Sequence, residues 1–374
     1  MTSTLAFAER DIFWPPADEL MQAAERIRAR LGDWPRAPVP WRICLTAPDA
    51  PRAGDLIVVA DDNDHPASFA GWLAHGAGVV EAKAGGVSLM LAGQRYAFEG
   101  TLAEDWLAAL AAFLDCGFEA PDALVLAMAW RDGDDARSDD AWPVDLARFP
   151  RLVGLPPVPA EPFASCPARL GLYAVVPSAA WVERVLTLGV QTVQLRMKDA
   201  PPAQLAEEIA RSVEAGRRHG ARVFINDHWR EAIAAGAYGV HLGQEDLETL
   251  APAELTAIAA SGLRLGLSTH GYYEMLRALH FRPSYLAFGA VFATTTKTLA
   301  TAPQGLARLA RYVRLVEGVV PLVAIGGIDL TTLPGVLATG VGSAAVVRAV
   351  TEAQDPQAAV TALHAAFERR PSSG

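Results

Sequence analysis

The chain has 374 residues, of which 51% are hydrophobic and 20% charged, and its formal net charge is −10. Length and composition point to two globular domains with ample core material and exclude a disordered chain. The acidic balance, without a block of basic residues, excludes a nucleic-acid surface, and no apolar run reaches membrane-spanning length, so neither nucleic acid nor membrane is expected as a partner.

The amino terminus, MTSTLAFAERDIFWPP, lacks the basic and then apolar order of a secretory signal. Cys44, Cys116 and Cys166 are far apart and show no C-x-x-C spacing, so reduced thiols in a cytoplasmic protein are expected. Residues 1–155 read as an N-terminal α/β domain. ADELMQAAERIRARLG is helical, RICLTA and DLIVVADD are strand-like, GVSLMLAGQRYAFEG suggests a hairpin, and TLAEDWLAALAAFLDCGF a helix. The acidic stretch RDGDDARSDD reads as a solvated loop. Five prolines between Val153 and Gly171 forbid a helix interior, so residues 156–168 are taken as a Pro-rich linker.

From residue 169 to 374 a different rhythm holds. LGLYAVV, TVQLRM, ARVFIND, GVHLGQ, LRLGLST, SYLAFGAVF, VPLVAIGGI and SAAVVRAV are strand-like. Helical segments such as PPAQLAEEIARSVEAGRRHG separate them, and DPQAAVTALHAAFERR closes the chain. About eight β–α units in roughly 205 residues predict a C-terminal (β/α)8 TIM barrel. In that fold, chemistry sits at the carboxyl ends of the strands. Polar residues cluster there: Arg196 and Lys198, Asn226 and Asp227, Gln244 and Asp246, Ser268 to His270, Thr294 to Lys297, then Gly326-Gly327.

Arg196 and Lys198 alternate along one strand and so share a face, which suits an anion better than a core. Asp227 and Asp246 come from successive strands. They could share a Mg2+ ion or cap the helices that follow them, and the two roles are compatible. Gly326-Gly327 either allows close approach to a phosphate or makes a plain tight turn. His241 and His270 stand at the rim, and His241 is counted with the substrate-binding residues.

Taken together, QLRMKD, FINDHWREA, GAYGVHLGQEDL, GLSTH, YLAFGAVFATTTK and VAIGGI, in that order at βα spacing, resemble the thiamine-phosphate synthase family over about residues 169–370. The resemblance implies an enzyme that joins hydroxymethylpyrimidine diphosphate to a thiazole phosphate with Mg2+ as cofactor. Gln194, Arg196, Lys198 and Asn226 match its pyrimidine-diphosphate segment. Asp227 and Asp246 match its magnesium ligands, and Ser268 and Lys297 its further diphosphate contacts. Thr294, Thr296, Gly327, Val347 and Arg348 match its thiazole-phosphate site. Two departures stand out: the family usually has Pro where Ala293 stands, and commonly Ser where Arg348 stands. Residues 1–155 faintly resemble the end of a ribokinase-like hydroxymethylpyrimidine phosphate kinase. Gly100-Thr101-Leu102-Ala103 lacks that family's second glycine and catalytic residue, so a catalytically silent remnant is expected. Two other readings were weighed: a thiazole tautomerase, with a rim histidine such as His270 moving a proton, and a non-catalytic phosphate-binding barrel with a regulatory first domain. The partners expected are small molecules, and a homo-oligomer is left open.

Overall fold

The computed structural model describes residues 11–35, 41–60, 66–131, 141–198, 200–294 and 302–369. It divides into two compact units, Met1–Leu155 and Pro156–Gly374. Among the described residues no helix is long and apolar enough to cross a membrane.

The first unit is a seven-stranded sheet whose strands lie in chain order: β1 Phe13–Trp14, β2 Arg42–Cys44, β3 Asp55–Ala60, β4 Gly78–Lys83, β5 Gly86–Leu91, β6 Gln94–Glu99 and β7 Arg151–Leu152. Strands β1 to β4 are parallel and β4 to β7 antiparallel. The expected hairpin is β5–β6, and it turns on Ala92 (φ 50°) and Gly93 (φ 78°), the two left-handed positions of a primed turn. Four helices accompany the sheet: α1 Asp18–Arg30, α2 Pro66–Ala74, α3 Trp106–Asp115 and α4 Ala120–Ala129. The last two are apolar all round and correspondingly buried. Asp55, fully buried, is paired at both oxygens with Arg42, at 2.8 and 2.7 Å, as a buried carboxylate requires. The helix expected from Thr101 starts only at Trp106. The Thr101 carbonyl accepts from Arg131 Nη2 at 3.1 Å, and its hydroxyl from the same nitrogen at 3.0 Å.

The second unit is a closed barrel of eight parallel strands, with β8 Gly171–Val176, β9 Thr192–Leu195, β10 Arg222–Asn226, β11 Gly239–Leu242, β12 Arg264–Thr269, β13 Tyr285–Phe288, β14 Leu322–Ile325 and β15 Ser343–Val346 joined in a ring. Outside it run α5 Ala179–Thr187, α6 Pro202–His219, α7 Trp229–Ala235, α8 Gln244–Thr249, α9 Pro252–Ala260, α10 Tyr272–His280, α11 Gly305–Val316, α12 Leu333–Ala338, α13 Arg348–Thr351 and α14 Pro356–Glu368. Side chains alternate along a strand, so every second residue points inward. Tyr173, Val175, Phe224, Tyr285, Ala287 and Val323 fill the interior in this way. Two of these rings need room. A β-carbon on Gly239 would lie 2.5 Å from Phe224 Cε1, and one on Gly266 would lie 2.2 Å from Tyr285 Cζ. Strands β11 and β12 therefore carry glycine where their neighbours' rings lie.

The Pro-rich segment is held against the amino-terminal end of this barrel. Ser165 O accepts from Arg264 Nε at 2.9 Å, Ala164 O from Ser284 Oγ at 2.6 Å and Pro159 O from Arg282 Nη2 at 2.7 Å. Proline-rich backbone cannot satisfy its own carbonyls, and here side chains near the strand starts do so. Phe163 is buried, and Cys166 packs against the interior cluster.

Gly266→Ala is expected to destabilise the barrel by about 1–3 kcal/mol, because the added methyl meets the Tyr285 ring. A urea midpoint equal to that of the unaltered chain would contradict the packing argument.

Candidate active site at the carboxyl rim of the barrel

The strand ends bring together most of the residues singled out in the sequence. Gln194 and Asn226 are buried, Arg196 is half-buried and Lys198 exposed. Arg196 extends the ladder beyond β9, its N–H donating to Val176 O at 2.8 Å. Asp227 leaves β10 in the left-handed region (φ 63°), and its N–H donates to His241 O at 2.9 Å. This turn directs the chain into α7 and carries the Asp227 carboxyl toward Asp246. Asp246 sits in the first turn of α8, where its Oδ2 accepts from Gly243 N at 2.7 Å. Its capping role is thus realised, and it does not prevent a second role.

The two carboxyl groups face each other. The Asp227 carboxyl is held above its ordinary range, first by burial and then by the charge of Asp246, while His228 and Arg196 oppose the rise. A pair of mutually repelling, partly desolvated carboxylates suits a hard divalent cation, which needs one or two protein carboxylates and takes its other ligands from water and substrate phosphate. Among the described residues no group of three or more His, Cys, Asp or Glu could hold a metal ion by itself.

Beside this pair is a hydrogen-bonded chain that the sequence did not reveal. His241 Nε2 is 2.8 Å from Ser268 Oγ, and His241 Nδ1 is 2.7 Å from the hydroxyl of Tyr285. The Tyr285 hydroxyl is 2.9 Å from that of Tyr173, which accepts from Gln194 Nε2 at 3.2 Å. Burial pushes both phenols up, so they remain neutral. Gln244 Nε2 donates to Ser268 O at 2.6 Å, and the Gln244 Oε1 atom is buried without a partner. The signal for Tyr173 and Tyr285 lay in period-two alternation, which puts their hydroxyls inside the barrel. His270, the residue a tautomerase reading would use, has its Nδ1 2.8 Å from Glu274 Oε2, which also accepts the His270 N–H.

On the opposite side of the rim, Gly326 (φ 99°) and Gly327 (φ 65°) follow β14. The segment after β13 runs beside them, with Phe292 N donating to Gly326 O at 3.0 Å and Val291 N to Ile325 O at 2.9 Å. A β-carbon on Gly326 would fall 2.4 Å from Ala290 Cβ, and one on Gly327 2.6 Å from Ala293 O. Contact between these two loops is thus sufficient to require the glycines. Val347 caps the short helix α13, and the Arg348 side chain is exposed. Thr294 is half-buried, whereas Thr296 and Lys297 lie outside the described residues.

A raised carboxylate pKa has a definite sign in stability. The folded chain prefers the protonated form, so this contribution is complete below the ordinary aspartate range and is lost as pH rises through the raised value. Near pH 7, without a divalent cation, the Asp227–Asp246 repulsion is therefore destabilising. Asp227→Asn, a residue that tolerates the left-handed backbone, is expected to raise the melting temperature in EDTA at about pH 7. It is expected to gain less at about pH 4, where ordinary carboxylates are half protonated, and to lose most of the rise caused by MgCl2. A lower melting temperature in EDTA at neutral pH would contradict the repulsion.

Residues 172–350 match the family model described as thiamine monophosphate synthase. The thiamine-phosphate synthase of Neisseria meningitidis serogroup A is 57% identical over 206 residues, covering 55% of this chain and 98% of that protein. That of Salmonella newport is 55% identical over 202 residues, covering 54% and 93%. Among solved structures, the thiamine phosphate pyrophosphorylase of Pyrococcus furiosus is 32% identical, covers 54% of this chain and 98% of its own, and gives a TM-score of 0.48. Because the similarity spans nearly the whole length of these relatives, the chain belongs, through its barrel, to the thiamine-phosphate synthase family.

Proposed function

We propose that the rim of the barrel joins hydroxymethylpyrimidine diphosphate to thiazole phosphate and releases diphosphate. Family membership makes the protein a transferase of thiamine biosynthesis. The finer reading rests on one observation: the carboxyls of Asp227 and Asp246 repel each other beside Arg196, at the rim that also carries the Ser268 hydroxyl held by His241. Neither a tautomerase nor a passive phosphate binder needs that repulsion.

In the reaction the C–O bond between the pyrimidine methylene and the diphosphate breaks, and its electron pair leaves with the diphosphate. The amino-pyrimidine spreads the resulting positive charge. The thiazole nitrogen then donates its lone pair to the methylene carbon and forms the new C–N bond. That nitrogen carries no proton, so no strong base is required. The chain must instead stabilise the departing diphosphate and hold two anionic substrates face to face. Arg196, Lys198 and Lys297 supply cationic donors for the diphosphate, Ser268 a hydroxyl, and Gln194, Asn226 and His241 surround the pyrimidine. Asp227 and Asp246 would hold Mg2+. When bound, that ion stabilises the leaving oxygen as a Lewis acid. Thr294 and Thr296, with the backbone at Gly327, Val347 and Arg348, receive the thiazole phosphate. At Arg348, where the family commonly has Ser, the backbone N–H donor is kept.

Free thiols at Cys44 and Cys166 support a reducing, cytoplasmic setting. The first unit is read as a catalytically silent kinase remnant. Leu102-Ala103 stands where a second glycine and a catalytic residue would be needed, and Arg131 binds the Thr101 carbonyl and hydroxyl there.

The purified chain with both substrates and Mg2+ is expected to yield thiamine phosphate; no product under those conditions would end the proposal. The rim roles should also separate kinetically. Lys297→Ala is expected to lower kcat about 10²-fold, because charge on the diphosphate grows as the bond breaks. Thr296→Val is expected mainly to raise KM for thiazole phosphate, by the roughly 1–3 kcal/mol of a lost hydrogen bond. Initial rates with each substrate varied in turn distinguish the two, and an exchange of the effects would refute the division.

A further inference from the structure

We infer that Tyr285 is a positioning residue whose buried hydroxyl fixes the tautomer of His241 and thereby turns the proton of Ser268 outward, toward the substrate. The inference deepens the reading above, on which its catalytic consequence rests.

The argument is a count of protons along the chain inside the barrel. Gln194 Nε2 can only donate, and it donates to the Tyr173 oxygen at 3.2 Å. The Tyr173 proton then has the Tyr285 oxygen as its acceptor, 2.9 Å away. A hydroxyl that accepts from Tyr173 cannot also donate back to it, so the Tyr285 proton goes to the other neighbour, His241 Nδ1, at 2.7 Å. Neutral His241 therefore carries its proton on Nε2 and donates it to Ser268 Oγ at 2.8 Å. Ser268 accepts from the imidazole, and its own O–H is left to donate elsewhere. A diphosphate has only acceptors to offer, so a serine presented in this way matches a leaving group that gains charge. If the Gln194 amide were reversed, every bond in the chain would reverse. Ser268 would then give its proton to His241 and have none for the ligand.

The phenol is specifically accommodated. Tyr173 and Tyr285 are each only 1% exposed or less, and Gly266 leaves the space that the Tyr285 ring and hydroxyl occupy, a β-carbon there coming within 2.5 Å of that hydroxyl oxygen. The Tyr285 and His241 rings also stack, with centroids 5.6 Å apart and planes 25° from parallel, which further limits the orientation of the imidazole.

The test uses the full chain labelled with 15N at histidine and observed at about pH 8, where an ordinary imidazole is neutral. His241→Asn identifies the resonances among the eight histidines. In the unaltered protein Nδ1 of His241 is expected to appear as an unprotonated, pyridine-type nitrogen and Nε2 as a protonated one. Tyr285→Phe should shift the proton onto Nδ1 or average the two forms. Tyr173→Phe, which removes the hydroxyl that gives the Tyr285 proton its direction, should weaken the preference and let both tautomers appear. In kinetics Tyr285→Phe should lower kcat roughly 3- to 10-fold, the scale of one hydrogen bond, with little change in either KM. It should cost nothing further on a Ser268→Ala background. Nδ1–H in the unaltered protein, an unchanged tautomer in Tyr285→Phe, or additive losses in the double variant would each overturn the inference. Full kcat in Ser268→Ala would instead remove Ser268 from the reaction, a result distinguishable because the tautomer is read without substrate.

Discussion

Everything at the rim depends on closure of the parallel barrel. Eight strands hydrogen-bonded in a ring leave no edge and point all their carboxyl ends the same way, so residues far apart in sequence meet at one mouth. Asp227 and Asp246 repel, and such an arrangement persists only where the surrounding structure holds it. Here it is held by the β10–β11 ladder, through Asp227 N to His241 O, and by the cap that Asp246 makes on α8. A filled interior of Tyr173, Phe224 and Tyr285 supports both. The cost is local and electrostatic.

The two ends of the barrel solve different problems. At the amino-terminal end, the Pro-rich segment offers carbonyls and few N–H groups, and Arg264, Ser284 and Arg282 supply the missing donors. At the carboxyl end the buried Gln244 Oε1 has no hydrogen-bond partner among the described residues.

The fold was legible because its signal is periodic and repeated: apolar strands and amphipathic helices alternate, and each repetition supports the others. The helix expected from Thr101 to near Gly117 starts only at Trp106, and the Thr101 carbonyl accepts instead from Arg131, thirty residues away in sequence. Among site residues, Arg196, Asp227, Asp246 and Ser268 announced themselves as polar groups at strand ends. Tyr173 and Tyr285 did not, since an aromatic at an inward position reads as core, and only the closed ring shows that their hydroxyls meet. Gly326-Gly327 was legible as a close approach, but the partner that the packing requires is the neighbouring loop of Ala290 to Ala293. Sequence spacing reports how tightly the backbone must pack, not against what.

The interior chain and the rim also divide the electrostatics between them. Charges sit at the mouth, where water and ligand can screen or neutralise them. Inside the barrel the two phenols stay neutral, because burial drives them away from ionisation. A buried neutral chain cannot supply charge to a reaction, but it can fix the direction in which each hydrogen bond points. Direction is what Ser268 lacks by itself, since a serine hydroxyl rotates and will donate or accept as its neighbours allow. A tyrosine placed beneath the imidazole removes that freedom without placing another charge beside two carboxylates already in conflict.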